Sequence, residues 1–426
     1  MRRTSRILSL LISLLAAAWP AHGATPITLE VWTQPGSSEE SVTELLPAFK
    51  EQYPYIDVRV IPFEWQALND KLVVGLATGV VPDMTQIEIT FLGGIRDLGG
   101  DLLENLADPK YGALKYKDHI VPHKWAQGSY EGRLIAFPID LAPTVMYVRR
   151  SVFEEAGVSA DPDDISNTIR NWDDYYTLAR KITRDRDGDG NQDVFMLGSA
   201  DQIFNIASQQ TGLPMIDAEN VVHIAEKPWV EALAQAVRFR SQGLDGVERI
   251  NWTWHENWIQ GISVGILGTE FMGDWFAANL KEWAPDSAGD WAVAPLPGNI
   301  GVTGGGSFYA IPSQAAHKRE AWLLLDFIQQ HSEPFISANR IHWNFGVFDQ
   351  PDPFFGGQRV MRAMAEAAQN TPILWVHGLH RRAIEVVYWD AWRALEQTMS
   401  PEEYLTSKAE QLRGIVNEYV ASLKNR

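Results

Sequence analysis

The sequence predicts an α/β protein built as two lobes, and two observations carry that expectation. Strand-like and helix-like segments alternate between Ile27 and Ile89 at the lengths of βαβ units, which implies a parallel sheet flanked by helices. The chain has 426 residues, and without an N-terminal leader the remaining about 400 still exceed the ~250 to 300 at which a single core stops growing.

Taken in order, Ile27 to Trp32 alternates apolar and polar as a strand does, and a helix follows with Val42, Leu45, Leu46 and Phe49 on one face. Ser37 and Glu40 have the spacing of a capping box at its start, and Pro47 should kink or shorten it. A strand is expected at Asp57 to Ile61, a helix from Trp65 to Thr78, breakers at Gly79 and Pro82, and a strand at Met84 to Ile89. The middle of the chain, about Val152 to Asn299, reads as more helical and carries most of the Asp-rich loops. A glycine run at 304 precedes a strand at Phe308 to Ile311 and a helix at Glu320 to Gln329. The last stretch is helical, with Ser400-Pro401-Glu402-Glu403 as an N-cap and first turn.

The first residues form a different kind of segment. Arg2, Arg3 and Arg6 precede an uncharged, mostly apolar run from Ile7 to Trp19, which closes at Ala21-His22-Gly23 before Ala24. That order is the pattern of a secretory signal peptide, expected at 1–23. The run is 13 residues long, whereas a membrane-crossing helix needs about 20. The sequence has no cysteine, so disulfides, thiolate chemistry and a lipidated cysteine anchor are all excluded. A mature protein free in a periplasm is therefore expected. Without the leader arginines the balance is 33 basic to 54 acidic residues, a charge near −21, which repels polyanions and makes nucleic acid an unsuitable partner. Of the seventeen tryptophans a large aromatic core accounts for most, and the excess suits sugar surfaces, being flat rings with one polar edge.

Several stretches run in one family's order over nearly the whole chain. They are L-E-V-W (29–32), F-K-E-Q-Y-P-Y-I-D-V-R-V (49–60), A-T-G-V-V-P-D-M (77–84), G-R-L-I-A-F-P-I-D (132–140), F-M-G-D-W (271–275), A-P-D-S-A-G-D-W-A-V-A-P-L-P-G (284–298) and G-G-G-S-F-Y-A-I-P (304–312). Together these resemble the extracellular solute-binding proteins of family 1, relatives of maltose-binding protein, and the stretch from Gly273 to Gly298 is most similar to lactose- and arabino-oligosaccharide-type binders. The resemblance implies a periplasmic-binding-protein fold: two parallel-type sheets flanked by helices, joined by two or three crossing strands, with a sugar between the lobes. Crossings are expected near Pro138 to Pro143, Val302 to Gly306 and Asn344 to Val347. The lobes would comprise 24–140 with about 306–344, and about 141–305 with about 345–426. It also implies the permease subunits of an ABC importer as partners, a monomeric receptor, and no catalysis.

Such a cleft needs aromatic faces for sugar C–H surfaces and carboxylates, amides and backbone N–H groups for hydroxyls. Trp275, beside Asp274 in the G-D-W motif, matches the family's sugar-stacking tryptophan, the alternative being a core residue. Gln34 and Glu88 stand at strand C-terminal ends, where open α/β sheets bind ligands. Asp140 stands at the first crossing, where it either reaches sugar hydroxyls or closes a hinge salt bridge. Gly305 and Gly306 allow close backbone approach to a ligand. Trp343 and Trp375 are further candidates, as are Trp252, Trp254, Trp258 and Trp389.

The loop from Asp185 to Asp193 spaces Asp185, Asp187 and Asp189 two apart before Gly190, with Asn191 and Asp193 following, as in the start of an EF-hand calcium loop. Position 12 is Met196 rather than Glu, so a calcium ion and a self-capping turn both stay open; no cofactor is required. Two catalytic patterns are set aside. G-I-S-V-G (261–265) fits a nucleophile elbow with Asp274 and His317 downstream, yet the resemblance places a strand and its preceding turn there. H-E-N-W-I (255–259) lacks the second histidine of a zinc-protease helix. The rival functions are a secreted carbohydrate hydrolase using Glu88 and Asp140, or the same fold holding a polyol or peptide.

Overall fold

A computed structural model describes residues 25–99, 101–331 and 350–424, so the leader, Trp343 and the third expected crossing lie outside the described residues. Among the described residues nine strands form two sheets, beside a short antiparallel ribbon of Ser129–Tyr130 with Arg133–Leu134. The first contains β1 (Ile27–Thr33), β2 (Ile56–Pro62), β3 (Met84–Glu88), β4 (Phe137–Pro138) and β9 (Ser307–Ala310) in the order β2-β1-β3-β9-β4. The second contains β5 (Thr144–Arg149), β6 (Phe195–Leu197), β7 (Leu267–Gly273) and β8 (Trp291–Ala294) in the order β8-β5-β7-β6.

Within the first sheet β1 runs parallel to β2 and β3, while β9, returning from the other lobe, runs antiparallel to β3 and β4. The second sheet is mixed too: β5 is antiparallel to β7 and β8, and the β6–β7 pair is parallel. The expected parallel character therefore holds only where a helix separates successive strands. Strands entered directly from a crossing run the opposite way. All six residues of β5 and all seven of β7 are buried, as befits strands covered on both faces.

The helix predicted over 65–78 is present with those ends, closed by Gly79 in the left-handed conformation. The expected kink at Pro47 is a break: Ser37–Thr43 and Leu46–Gln52 are separate helices, with the proline in the first turn of the second. The first of these is capped by Gly36, so Ser37 lies one residue inside the helix and the Ser37/Glu40 box is a correction to the sequence reading. The box at Ser400 does form. The Glu403 amide donates to Ser400 Oγ at 3.2 Å and the Ser400 amide donates to Glu403 Oε2 at 3.0 Å, opening the helix Pro401–Lys424.

Among the described residues two connections pass between the sheets, β4 to β5 and β8 to β9. They are bound to each other: the Thr144 amide donates to Val302 O at 2.9 Å and the Gly304 amide to Ala142 O at 2.8 Å. Each sheet carries its own apolar core, one around Val31, Phe137 and Leu325 and another around Tyr175, Phe204 and Leu233. The last helices, including His380–Tyr388, pack on the second core through Val387 and Leu412. Among the described residues, no helix is long and apolar enough to cross a membrane.

Candidate functional site

A cavity of about 680 Å³ lies between the two sheets, bounded by the end of β3, the paired crossings, the helix Asp201–Gln210 and the segment 374–392. Aromatic side chains make up much of its wall, among them Trp229, Trp252, Trp254, Trp275, Trp375 and Trp389. Trp254 stacks on Trp275 with ring centroids 5.5 Å apart and planes 28° from parallel, over the fully buried Trp258. Trp254 sits at φ +77°, a strained conformation for a bulky residue, and its ring stays half exposed. Such strain persists only where the surroundings over-determine it.

Trp275 lines the cavity at the end of β7, where a ligand reaches a strand's C-terminal edge. Its indole N–H donates to Gly304 O at 3.1 Å, so the polar edge is spent on the second crossing and the ring face is what it offers. The glycine run explains how the backbone comes so close. A Cβ on Gly304 would stand 2.8 Å from Thr144 Oγ1, and one on Gly306, at φ +101°, would stand 2.2 Å from Lys124 Nζ and 2.9 Å from Asp140 Oδ1. Gly305 lines the cavity, whereas Gly306 does not and packs against Lys124 and Asp140, a correction to its expected ligand role.

Glu88 ends β3, caps the helix Ile89–Asp97 by accepting the Thr90 amide at 2.9 Å, and faces the cavity. Burial pushes its pKa above the ordinary carboxylate value, against the opposing hydrogen bonds from Thr90 and the charge of Lys124. On the opposite wall Asp201, Gln202, Asn205 and Gln209 present one polar face of their helix. Burial lifts the Asp201 carboxyl to about 6 and holds the His380 imidazole down at about 4, so that histidine is neutral at physiological pH.

Other sequence candidates stand elsewhere. Asp140 is buried and its Oδ1 accepts the Ser307 amide at 2.8 Å, tying one crossing to the other rather than lining the cavity. Asp274 is also buried, with Oδ1 accepting the Trp275 amide at 2.9 Å. The Gln34 amide donates to Gln86 Oε1 at 2.9 Å, and the residue lines a small side pocket shared with Glu88 and Trp65. Trp375 does line the main cavity, under the Arg96 guanidinium at 4.4 Å, and its indole N–H has no partner among the described residues. The helix Asp201–Gln210 and Trp392 were not singled out from the sequence. A polar stripe following a short strand was the available signal for the helix.

The Asp-rich loop brings carboxylate oxygens of Asp185, Asp187 and Asp193 within 4.8 Å of one another. Asp185 accepts the amides of Gly188 at 2.6 Å and Gly190 at 2.7 Å, which hold its carboxyl below the usual range. Asp189 accepts the Asn191 amide at 2.7 Å, and Asp193 pairs with Arg249 at 2.8 Å. The turn is thus held by its own backbone donors.

Ser263 corrects another expectation. It lies in the helix Glu256–Val264 rather than in a strand or turn, donating to Trp283 O at 2.8 Å, while His317 pairs with Asp83 on the other lobe. The order Ser, Asp, His has no counterpart in space.

Two α/β lobes, hinged by paired crossings and walled with aromatic faces where they meet, define a two-lobed binding protein. The chain belongs to the bacterial extracellular solute-binding protein family, whose model matches residues 35–333. It is 25% identical to the arabinooligosaccharide-binding protein of Bacillus subtilis (strain 168) over 80% of this chain and 78% of that one. It is 22% identical to the lactose-binding protein of Rhizobium radiobacter over 92% and 93% of the respective chains. The sugar-binding protein MalE of Xanthomonas citri shares the fold with a TM-score of 0.77 at 19% identity, covering 94% of this chain and 100% of that one.

Proposed function

We propose that this chain is the carbohydrate-capturing receptor of an ABC importer, working in the periplasm after cleavage of residues 1–23, closing its lobes on a di- or oligosaccharide and performing no chemistry on it. One observation carries the reading. The exposed tryptophans among the described residues are Trp254, Trp389 and Trp392, and all three lie on the wall of the 680 Å³ cavity. Exposed indoles converging on a cleft, interleaved with Glu88, Asn205, Gln209 and Asp201, match what a polyhydroxylated ring presents: apolar C–H faces and a rim of hydroxyls. The names of the relatives point the same way.

The hydrolase reading loses its pair, because Asp140 is engaged with the Ser307 amide and does not share the cavity with Glu88. A lobe division near residues 140, 305 and 344 is proposed with the function, supported by the passage of the chain between sheets after β4 and before β9.

The test is a thermal-shift screen of the purified protein against mono- and oligosaccharides, polyols and peptides, with product analysis of each mixture. A saccharide at about 100 times its dissociation constant adds about 2.7 kcal/mol of stability. The expected result is a melting shift by saccharides alone, with no cleavage products. Released monosaccharide, or a shift by peptides or polyols alone, overturns the reading.

A further inference from the structure

The helix Asp201–Gln210 runs along the cavity between two aromatic platforms, and each of its ends is tied to one of them. At the N-terminal end Thr253 Oγ1 donates to Asp201 Oδ1 at 3.2 Å, and the next residue, Trp254, is the upper ring of the Trp254/Trp275 stack. At the other end the Ser208 and Tyr388 hydroxyls are hydrogen-bonded at 2.7 Å, and the next residue is Trp389. At 1.5 Å rise per residue the two anchor points, Asp201 and Ser208, are about 10 Å apart along the axis. Between them Asn205 lines the cavity, with Gln209 just past Ser208 donating its side-chain amide to Asn205 Oδ1 at 2.7 Å, while the buried Gln202 amide is taken up by Glu270 and the Phe271 N–H. Trp254 is 55% and Trp389 61% exposed, and Arg381 covers only one face of the Trp389 ring, at 4.8 Å.

We propose that this helix is a ruler: it sets two terminal subsites, Trp254/Trp275 and Trp389/Trp392, that stack the two end rings of one saccharide chain, with a middle ring lying over Asn205 and its bonded neighbour Gln209. The ligand is then an oligosaccharide of about three rings, because a single ring on one platform leaves the other bare across the helix length. Two separated rigid platforms also give a chain-length preference by simple addition of contacts within one molecule, since the second end binds without a second loss of translational freedom. The inference rests on the sugar-receptor reading and deepens it.

The test is calorimetric titration of the full chain with two ladders, arabino-oligosaccharides and galacto-oligosaccharides, each from one ring upward. Trp389→Ala removes the far platform; Trp254→Asn removes the near one while keeping a residue that tolerates positive φ. Both rings are exposed, so wild-type melting curves are expected and are checked first. For the ladder that binds, affinity should climb to the trisaccharide and level off, and Trp389→Ala and Trp254→Asn should each weaken the trisaccharide about tenfold or more, in both cases by more than they weaken a single ring. Equal loss on every rung, no loss on any rung, or full affinity for one ring overturns the ruler and leaves the receptor reading standing. Failure of every rung of both ladders, with a melting shift by a polyol or peptide, overturns the receptor reading itself and the ruler with it.

Discussion

The indole N–H of Trp275 donates to the carbonyl oxygen of Gly304 at 3.1 Å, joining the end of β7 in the second lobe to a crossing segment. One side chain thereby serves both the cavity wall and the hinge.

For Trp275 this separates two contributions. Trp275→Phe keeps a stacking face under Trp254 and loses only the bond to Gly304, so saccharide affinity should fall less than in Trp275→Ala. Loss of the ring itself should weaken binding by ~2 to 4 kcal/mol, about 30-fold to 1000-fold. Melting should fall by less than the ~3 to 5 kcal/mol of a core tryptophan, because the residue is only partly buried. Titration and melts on the same samples decide; retained affinity with a collapsed melting temperature would return Trp275 to the core.

Two arginines hold the segment 375–389 against the first sheet's helices. Arg381 lies 4.8 Å over Trp65 as well as over Trp389, and Arg96 lies 4.4 Å over Trp375 and donates to Val376 O at 3.0 Å, Val376 itself packing in a core with Ile87 and Phe308. A partly desolvated cation–π contact is worth ~0.5 to 2 kcal/mol. Arg381→Met keeps the stem and removes the cation, so ligand dissociation should quicken by about 3-fold to 30-fold with little change in association. Stopped-flow tryptophan fluorescence reads both rates, and an unchanged dissociation rate would show that the contact does not hold the lobes closed.

Glu270 is fully buried in β7, accepting the Gly198 amide at 3.1 Å and a bond from Gln202, and burial lifts its pKa from 4.5 to about 8. The native state therefore keeps a proton that the unfolded chain releases above pH 4.5. Its contribution is complete below that value and is lost as pH rises through about 8, by an amount on the order of a few kcal/mol. Relative to wild type, Glu270→Gln should gain stability steadily from acid to mildly alkaline pH. Denaturant midpoints across that range measure the difference, and a flat difference would contradict the assignment.

The loop from Asp185 to Asp193 is held by backbone donors and by Arg249, and the residue at the calcium-loop twelfth position, Met196, is buried in β6. We expect excess chelator to leave the melting curve where it is. A fall on chelation, restored by calcium, would assign the ion to Asp185, Asp187 and Asp193.

The sequence by itself determined the local elements and the class. The alternation from Ile27 to Glu88, the helix at 65–78 with Gly79 after it, and the box at Ser400 were all legible, because periodicity, caps and turn residues act over a few neighbouring positions. The sequence also marked Trp275, Glu88, Gly305 and Trp375 as residues that reach the cavity. Only the tertiary structure decided that Asp140 and Asp274 turn into the hinge and strand end, and that β9 runs antiparallel to β3. It alone placed the helix Asp201–Gln210 between Trp254 and Trp389. Those choices rest on partners far apart in the chain, Ser208 with Tyr388 and Asp140 with Ser307, separated by 180 and 167 residues. No local pattern encodes such a pairing; it is fixed only when the two lobes pack and each buried polar group takes the partner within reach.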